Sequence, residues 1–176
     1  MPPSRLVFSI VVVLALNLAG CPANNPETSA PPTILIQETD YQGVIFSAAE
    51  AEQQRLEVPM TADTVEFWSP TAADIARLEA QLLPALLADE RLSDGVGFNP
   101  VQPLAAALPD YTRQYFGYFN IDGEAVIYTR FYCDTSAEEL MTSSSVPPLD
   151  GGDCFFQIHY NTNTDEYFGL YVHGEA

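Results

Sequence analysis

The strongest constraint on the fold is a pair of aromatic and β-branched blocks in the last third of the chain, each split by a turn signal. Residues 113–120 (RQYFGYFN) and 124–133 (EAVIYTRFYC) flank Ile121-Asp122-Gly123, while 154–160 (CFFQIHY) and 166–173 (EYFGLYVH) flank Asn161-Thr-Asn-Thr-Asp165. Aromatic and β-branched side chains suit a pleated, half-buried surface, and Asp-Gly supplies the positive φ that a tight hairpin needs. Two successive hairpins predict a four-stranded antiparallel meander over about 113–173.

Alternation within those strands separates two faces. In the second strand Ile127, Phe131 and Cys133 oppose Tyr128, Arg130 and Tyr132, and in the fourth Phe168, Leu170 and Val172 oppose Tyr167, Tyr171 and His173. One face is apolar and suits a helix; the other is crowded with tyrosine and histidine. The helix is written upstream. Ser69-Pro70-Thr71 and Asp74 form a helix start, with a Thr-x-x-Asp spacing that puts a carboxylate at the positive end of the helix. Ile75, Leu78, Leu82 and Leu86 then recur at helical spacing. The expected helix covers about 71–89 and kinks or restarts at Pro84, which has no N–H to give the carbonyl of Ala80.

The fold class is therefore α+β, one long helix packed on a four-stranded antiparallel meander, with a cystatin-like or inhibitor-like outline by analogy of shape. Trp68 precedes the helix start and is read as core packing. Residues 95–109 carry three prolines without a clean period and predict an extended or loosely helical connection. The segment 34–66 is open between a strand near 43–48 and a short helix near 48–56.

The first twenty residues stand apart. Arg5 is followed by an apolar run from Leu6 to Ala19 broken only by Ser9 and Asn17, the layout of an export signal. It is shorter than the roughly 20 residues of a spanning helix, and polar, Pro-rich sequence follows it. Leu18-Ala19-Gly20-Cys21 resembles the lipobox of bacterial lipoproteins, in which the leader is cut before a cysteine that receives a diacylglyceryl group. The resemblance implies a leader over 1–20, a flexible tether over 21–32 and a single globular domain over 33–176. It also implies anchoring in the lipid bilayer through acylated Cys21, the new N-terminus carrying a further chain such as palmitate; two or more chains give stable attachment. Pro22 rather than Asp at the next position implies the outer membrane, facing periplasm or cell surface.

Cys21 being committed to lipid, Cys133 and Cys154 remain to pair as a disulfide in an oxidising compartment. Loss of Arg5 with the leader leaves five arginines and no lysine against 24 acidic residues, lowering the net charge by one, from −18 to −19. A surface so acidic repels nucleic acid, so nucleic-acid binding is excluded.

Motifs that carry chemistry are sparse. The chain has no Gly-x-Ser-x-Gly, His-Glu-x-x-His, Cys-x-x-Cys or Gly-rich phosphate loop, and no cofactor or metal is expected. Asp150-Gly-Gly-Asp153 and Asn161–Glu166 resemble the start of a calcium loop, but the second has Glu166 and Val172 where Gly and Glu are needed, so both read as turns. His159 and His173 share a parity within one hairpin and are expected to face each other near Tyr167 and Tyr171.

Beyond the lipobox, Trp68-Ser-Pro-Thr, Arg113-Gln-Tyr, Asp150-Gly-Gly and the closing His173-Gly-Glu-Ala are similar to landmarks of a family of small bacterial exported proteins, over about 68–176; His173 stands where that pattern usually has Asn. The resemblance implies a single folded unit and brings no activity.

The expectation is an envelope lipoprotein acting as a non-enzymatic binding or interaction module. Its binding face would be Tyr128, Tyr132, Tyr167, Tyr171, His159 and His173, taking a protein, peptide or glycan. The alternatives are an envelope hydrolase built around His159 or His173 with an acid such as Asp153, or an inhibitor of a partner enzyme.

Overall fold

A computed structural model describes residues 32–54, 66–88, 101–142 and 152–173. The leader, Cys21, nearly all of the tether, Asp150-Gly151 and the last three residues lie outside the described residues, as does the side chain of Asp153.

The strands are β1 (Ile34–Gln37), β2 (Gln42–Ile45), β3 (Glu66–Trp68), β4 (Thr112–Phe119), β5 (Ala125–Tyr132), β6 (Phe155–Asn161) and β7 (Glu166–Val172). The helices are α1 (Ala48–Gln53), α2 (Ala72–Ala88), α3 (Val101–Ala107) and α4 (Ala137–Thr142), with short 3-10 turns at Leu108–Asp110 and Gly152–Cys154. The class is α+β. The antiparallel meander is present as β4-β5-β6-β7, yet it is part of a mixed seven-stranded sheet in the order β1-β2-β4-β5-β6-β7. β2 runs parallel to β4 along Thr112–Tyr115, and β3 pairs antiparallel with the rest of the same edge along Gly117–Phe119. The four-stranded expectation is thus too small, because the three added strands are only three or four residues long and too short to show a period. Segment 34–54 holds both a strand and a helix, β2 and α1.

One capping scheme starts three of the helices. Thr71 Oγ1 accepts from the Asp74 N–H at 3.3 Å while the Asp74 carboxylate takes the Thr71 N–H at 2.8 Å, opening α2 as the spacing predicts. Ser47 with Glu50 opens α1, and Ser136 with Glu139 opens α4, by the same reciprocal pair. Helix α2 continues through Pro84 and buries the expected stripe of Ile75, Leu78, Leu82 and Leu86. The Pro-rich 95–109 stretch turns out to hold α3, whose Leu104 joins Leu108 in the core beside α2.

The sheet carries a core on each side. On the α2 side Ile45, Tyr115, Ile127, Phe131, Phe156 and Ile158 meet the helix stripe. On the other, Val44, Phe46, Phe67, Phe116, Tyr118, Val126, Tyr128 and Tyr132 pack with Ala51 of α1 and with Ala137 and Leu140 of α4. This second layer goes beyond the expected single helix: α1 lies on β3 and β4, and α4 on β1, β2 and β4. Trp68 is half-buried against the α2-side core and donates its indole N–H to the Tyr118 carbonyl at 3.2 Å.

Cys133 and Cys154 form a disulfide with Cα atoms 4.9 Å apart, and the Cys133 N–H bonds to the Cys154 carbonyl at 3.1 Å. Closing a loop of this length contributes roughly 3 kcal/mol by chain entropy.

The facing read for β7 is corrected. Gly169 has φ +62° and sits at a bulge opposite Gln157–His159, so the alternation slips by one. Tyr167 joins Leu170 on the α2 side, whereas Phe168 leaves that face and lies against His159.

Candidate functional site

A cleft of about 600 Å³ lies between α2, α3, the β1–β2 turn and the start of β4. Ala76, Ala80, Leu83 and Pro84 line it from α2, and Ala105, Ala106, Leu108 and Pro109 from α3 and the 3-10 turn. Asp40 and Tyr41 stand at the β1–β2 turn, and Glu79 and Arg113 supply its buried charge. Apolar walls around a few convergent polar groups are what a small-ligand site requires, and the volume falls in the usual range.

Sequence and topology place the charged pair. Arg113 sits on β4 at a position facing α2, between Gly43 of β2 and Phe131 of β5. A Cβ at position 43 would meet the Arg113 backbone oxygen at 2.3 Å, so only glycine lets β2 approach β4 here. The Arg113 guanidinium donates Nη1–H to the Tyr111 carbonyl at 2.6 Å and Nη2–H to the Leu108 carbonyl at 3.0 Å, and its Nε lies 3.2 Å from Glu79 Oε1. The side chains of Arg113 and Glu79 are only 1% and 6% exposed. The same Oε1 accepts the Tyr115 hydroxyl at 2.7 Å. Arg113 also lies 5.9 Å from the Tyr41 ring centre and 5.5 Å from that of Phe131.

Burial shapes the proton chemistry. Desolvation raises the Glu79 carboxyl, against the opposing pull of Arg113 and of the Tyr115 hydrogen bond. Tyr115 is pushed well up, first by burial and then by the Glu79 charge. Tyr41 is raised by burial and by Glu38 and Glu79, so its hydroxyl stays protonated at neutral pH.

The expected binding face does not assemble. Tyr128 and Tyr132 are buried in the second core layer, so they offer nothing to a ligand on the surface. The Tyr128 hydroxyl donates to Gln157 Oε1 at 2.6 Å and the Tyr132 hydroxyl to Gln114 Oε1 at 3.0 Å; burial pushes Tyr128 up to about 12. Tyr167 lies on the opposite face and hydrogen-bonds through its hydroxyl to the Leu78 carbonyl of α2. Of the six residues only Tyr171 is exposed, at 40%, with Phe168 beside it at 39%.

His159 and His173 do not face each other either. His159 pairs with Phe168, whereas the His173 N–H bonds to the Phe155 carbonyl, four residues away along β6 and so about 13 Å distant at strand rise. The His159 ring lies between Tyr128 and Phe168, with the Tyr118 hydroxyl 3.0 Å from Nδ1, and burial lowers its pKa to about 4. His173 is buried with its ring edge-on to Tyr171.

The Asn161–Glu166 loop is a turn: Asn161 Oδ1 accepts the Asn163 N–H at 2.9 Å, and Asp165 pairs with Arg77 at 2.6 Å and with the Tyr160 hydroxyl. Asp150-Gly151 lies outside the described residues. Among the described residues a cluster of metal-type donors occurs at Cys133, Asp134 and Cys154, and there the two sulfurs are joined to each other. No helix of the described residues is long and apolar enough to cross a membrane.

The sequence held one unused signal for the cleft. Glu79 falls four residues after Ile75, three before Leu82 and seven before Leu86, which places a carboxylate beside the apolar stripe of α2.

Searches against protein-family models, curated proteins and solved structures return no match.

Proposed function

We propose that the protein is a lipid-anchored envelope binding module without catalytic activity, and that its ligand is a small molecule held in the cleft over Arg113 and Glu79. Anchoring rests on the likeness of Leu18-Ala19-Gly20-Cys21 to a lipobox, and the outer-membrane address on Pro22. One observation carries the choice of site: the cleft joins apolar walls to a buried ion pair, while Tyr128 and Tyr132, the centre of the alternative surface, are buried in the second core layer. A binding role is favoured over hydrolysis because His159 and His173 lie far apart along β6, and an acid-base pair must come within hydrogen-bond reach.

Two experiments test this. Palmitate labelling of cells is expected to tag the full chain and to be lost in Cys21→Ser. Native mass spectrometry of the full chain from envelope extract is expected to show a small molecule retained by the wild type and by Tyr171→Ala, and lost when Leu83→Trp fills the cleft. Retention in Leu83→Trp with loss in Tyr171→Ala would move the site to β7.

A further inference from the structure

We infer that the ligand of this cleft is an organic cation, a primary ammonium on an apolar chain; the inference rests on the cleft being the binding site and adds the chemistry of what it takes. The argument turns on which polar groups are already used. Arg113 is turned to the protein, with Nη1 on the Tyr111 carbonyl, Nη2 on that of Leu108, and Nε 3.2 Å from Glu79 Oε1 as an ion pair without a hydrogen bond. An anion entering the cleft would meet a guanidinium already ion-paired to Glu79 and bonded to two carbonyls, with two carboxylates, Glu79 and Asp40, lining the same space. Glu79 is the reverse case. Both of its neighbours, the Tyr115 hydroxyl and Arg113 Nε, meet Oε1, leaving Oε2 without a donor among the described residues.

An ammonium has three donors and needs acceptors; Glu79 Oε2, Asp40 at the rim and the neutral Tyr41 hydroxyl are acceptors on the same cleft. Ammonium to carboxylate is the strong, charge-assisted kind of hydrogen bond, and it strengthens in a site with little water. The alkyl chain then lies along Ala80 and Leu83. The field of the whole molecule works in the same direction, since 24 acidic residues against six basic ones attract cations from a distance.

The test uses the full chain and three probes of one size, hexylammonium, hexanol and hexanoate, read by the methyl resonances of Ala80, Leu83, Ala105 and Leu108. Hexylammonium is expected to bind about tenfold more tightly than hexanol, the worth of one charge-assisted hydrogen bond, and hexanoate more weakly than either. Glu79→Gln, with its melting temperature checked first, is expected to remove most of that preference, and Asp40→Asn, an exposed change that leaves the core alone, to reduce it about twofold. Stronger binding of Nα-acetyl-lysinamide than of hexylammonium would assign the same ammonium to a side chain of a partner, and the reverse order to a free amine. Equal binding of hexylammonium and hexanol, or tightest binding of hexanoate, would overturn the cation while leaving the cleft as the site. Failure of all three to move the cleft methyls would overturn both.

Discussion

Two arginines on neighbouring strands, both fully buried, divide the molecule into an open side and a closed one. Arg113 of β4 faces α2, ion-paired to Glu79 at the floor of a cleft; Arg130 of β5 faces the other way, into the second core layer, between the rings of Phe116 and Tyr128 at 5.5 Å and with its Nε 3.3 Å from the Tyr128 hydroxyl. Around Arg130 the cross-strand row Gln114, Arg130 and Gln157 is closed by bonds to Tyr132, Tyr128 and the Leu140 carbonyl. The comparison teaches that a tyrosine-rich face can be a core. Each ring buries a large apolar area, and each hydroxyl finds a partner inside. Recognition surface and polar core use the same residues in the same alternation, so only the covering elements distinguish them.

Removing one partner of each side should separate the two most sharply. Tyr128→Ala, in the closed layer, is expected to cost about 3–5 kcal/mol in chemical denaturation, as for other buried aromatic truncations. Arg113→Met should cost a similar amount, since it leaves the Glu79 carboxylate buried without its cation. A loss below about 1 kcal/mol in Tyr128→Ala would mean that the second layer is not packed.

The two sides should also respond to pH with opposite sign. Burial depresses His159 from 6.5 to about 4. The folded state therefore binds fewer protons there than the unfolded one, and stability present above pH 6.5 is lost as the pH falls towards 4. The loss amounts to about 3 kcal/mol over that window and should vanish in His159→Gln. Glu79 is raised from its ordinary 4.5, so its contribution is present below that value and is lost as pH rises through the folded-state pKa. Stability of the wild type relative to Glu79→Gln is thus expected to fall with rising pH above 4.5, and stability relative to His159→Gln to fall with decreasing pH below 6.5.

Glu79→Gln itself should cost less at pH 7 than Arg113→Met, about 1–3 kcal/mol, because it leaves the Arg113 guanidinium buried without its anion but still bonded to the Tyr111 and Leu108 carbonyls. Smallest of all is Leu83→Ala, on a cleft wall residue that is 40% exposed, expected to stay within about 0.5 kcal/mol while weakening ligand binding. A large stability loss there would make the cleft a packing element instead of a site.

Legibility in the sequence followed the length of the signal. The α2 stripe and its Thr71–Asp74 cap, the Asp122-Gly123 hairpin and the pairing of Cys133 with Cys154 were all readable, because each rests on local spacing or on counting. The parallel β2–β4 pairing was not, since it joins Gln42 to Thr112 across 70 residues through a four-residue strand. Nor was the bulge at Gly169, where one added residue exchanges the facings of Tyr167 and Phe168 while Leu170 and Val172 keep theirs. The cleft escaped for a third reason: Glu79 lies on α2 and Arg113 on β4, with no local spacing to link them, and only the fold brings them to 3.2 Å.

The most direct test of the account is a side-by-side titration of hexylammonium into full-length Leu83→Trp and full-length Phe168→Ala/Tyr171→Ala. The account predicts that filling the cleft abolishes binding while stripping the exposed aromatics of β7 leaves it unchanged. Binding that survives Leu83→Trp and disappears with Phe168 and Tyr171 would contradict it.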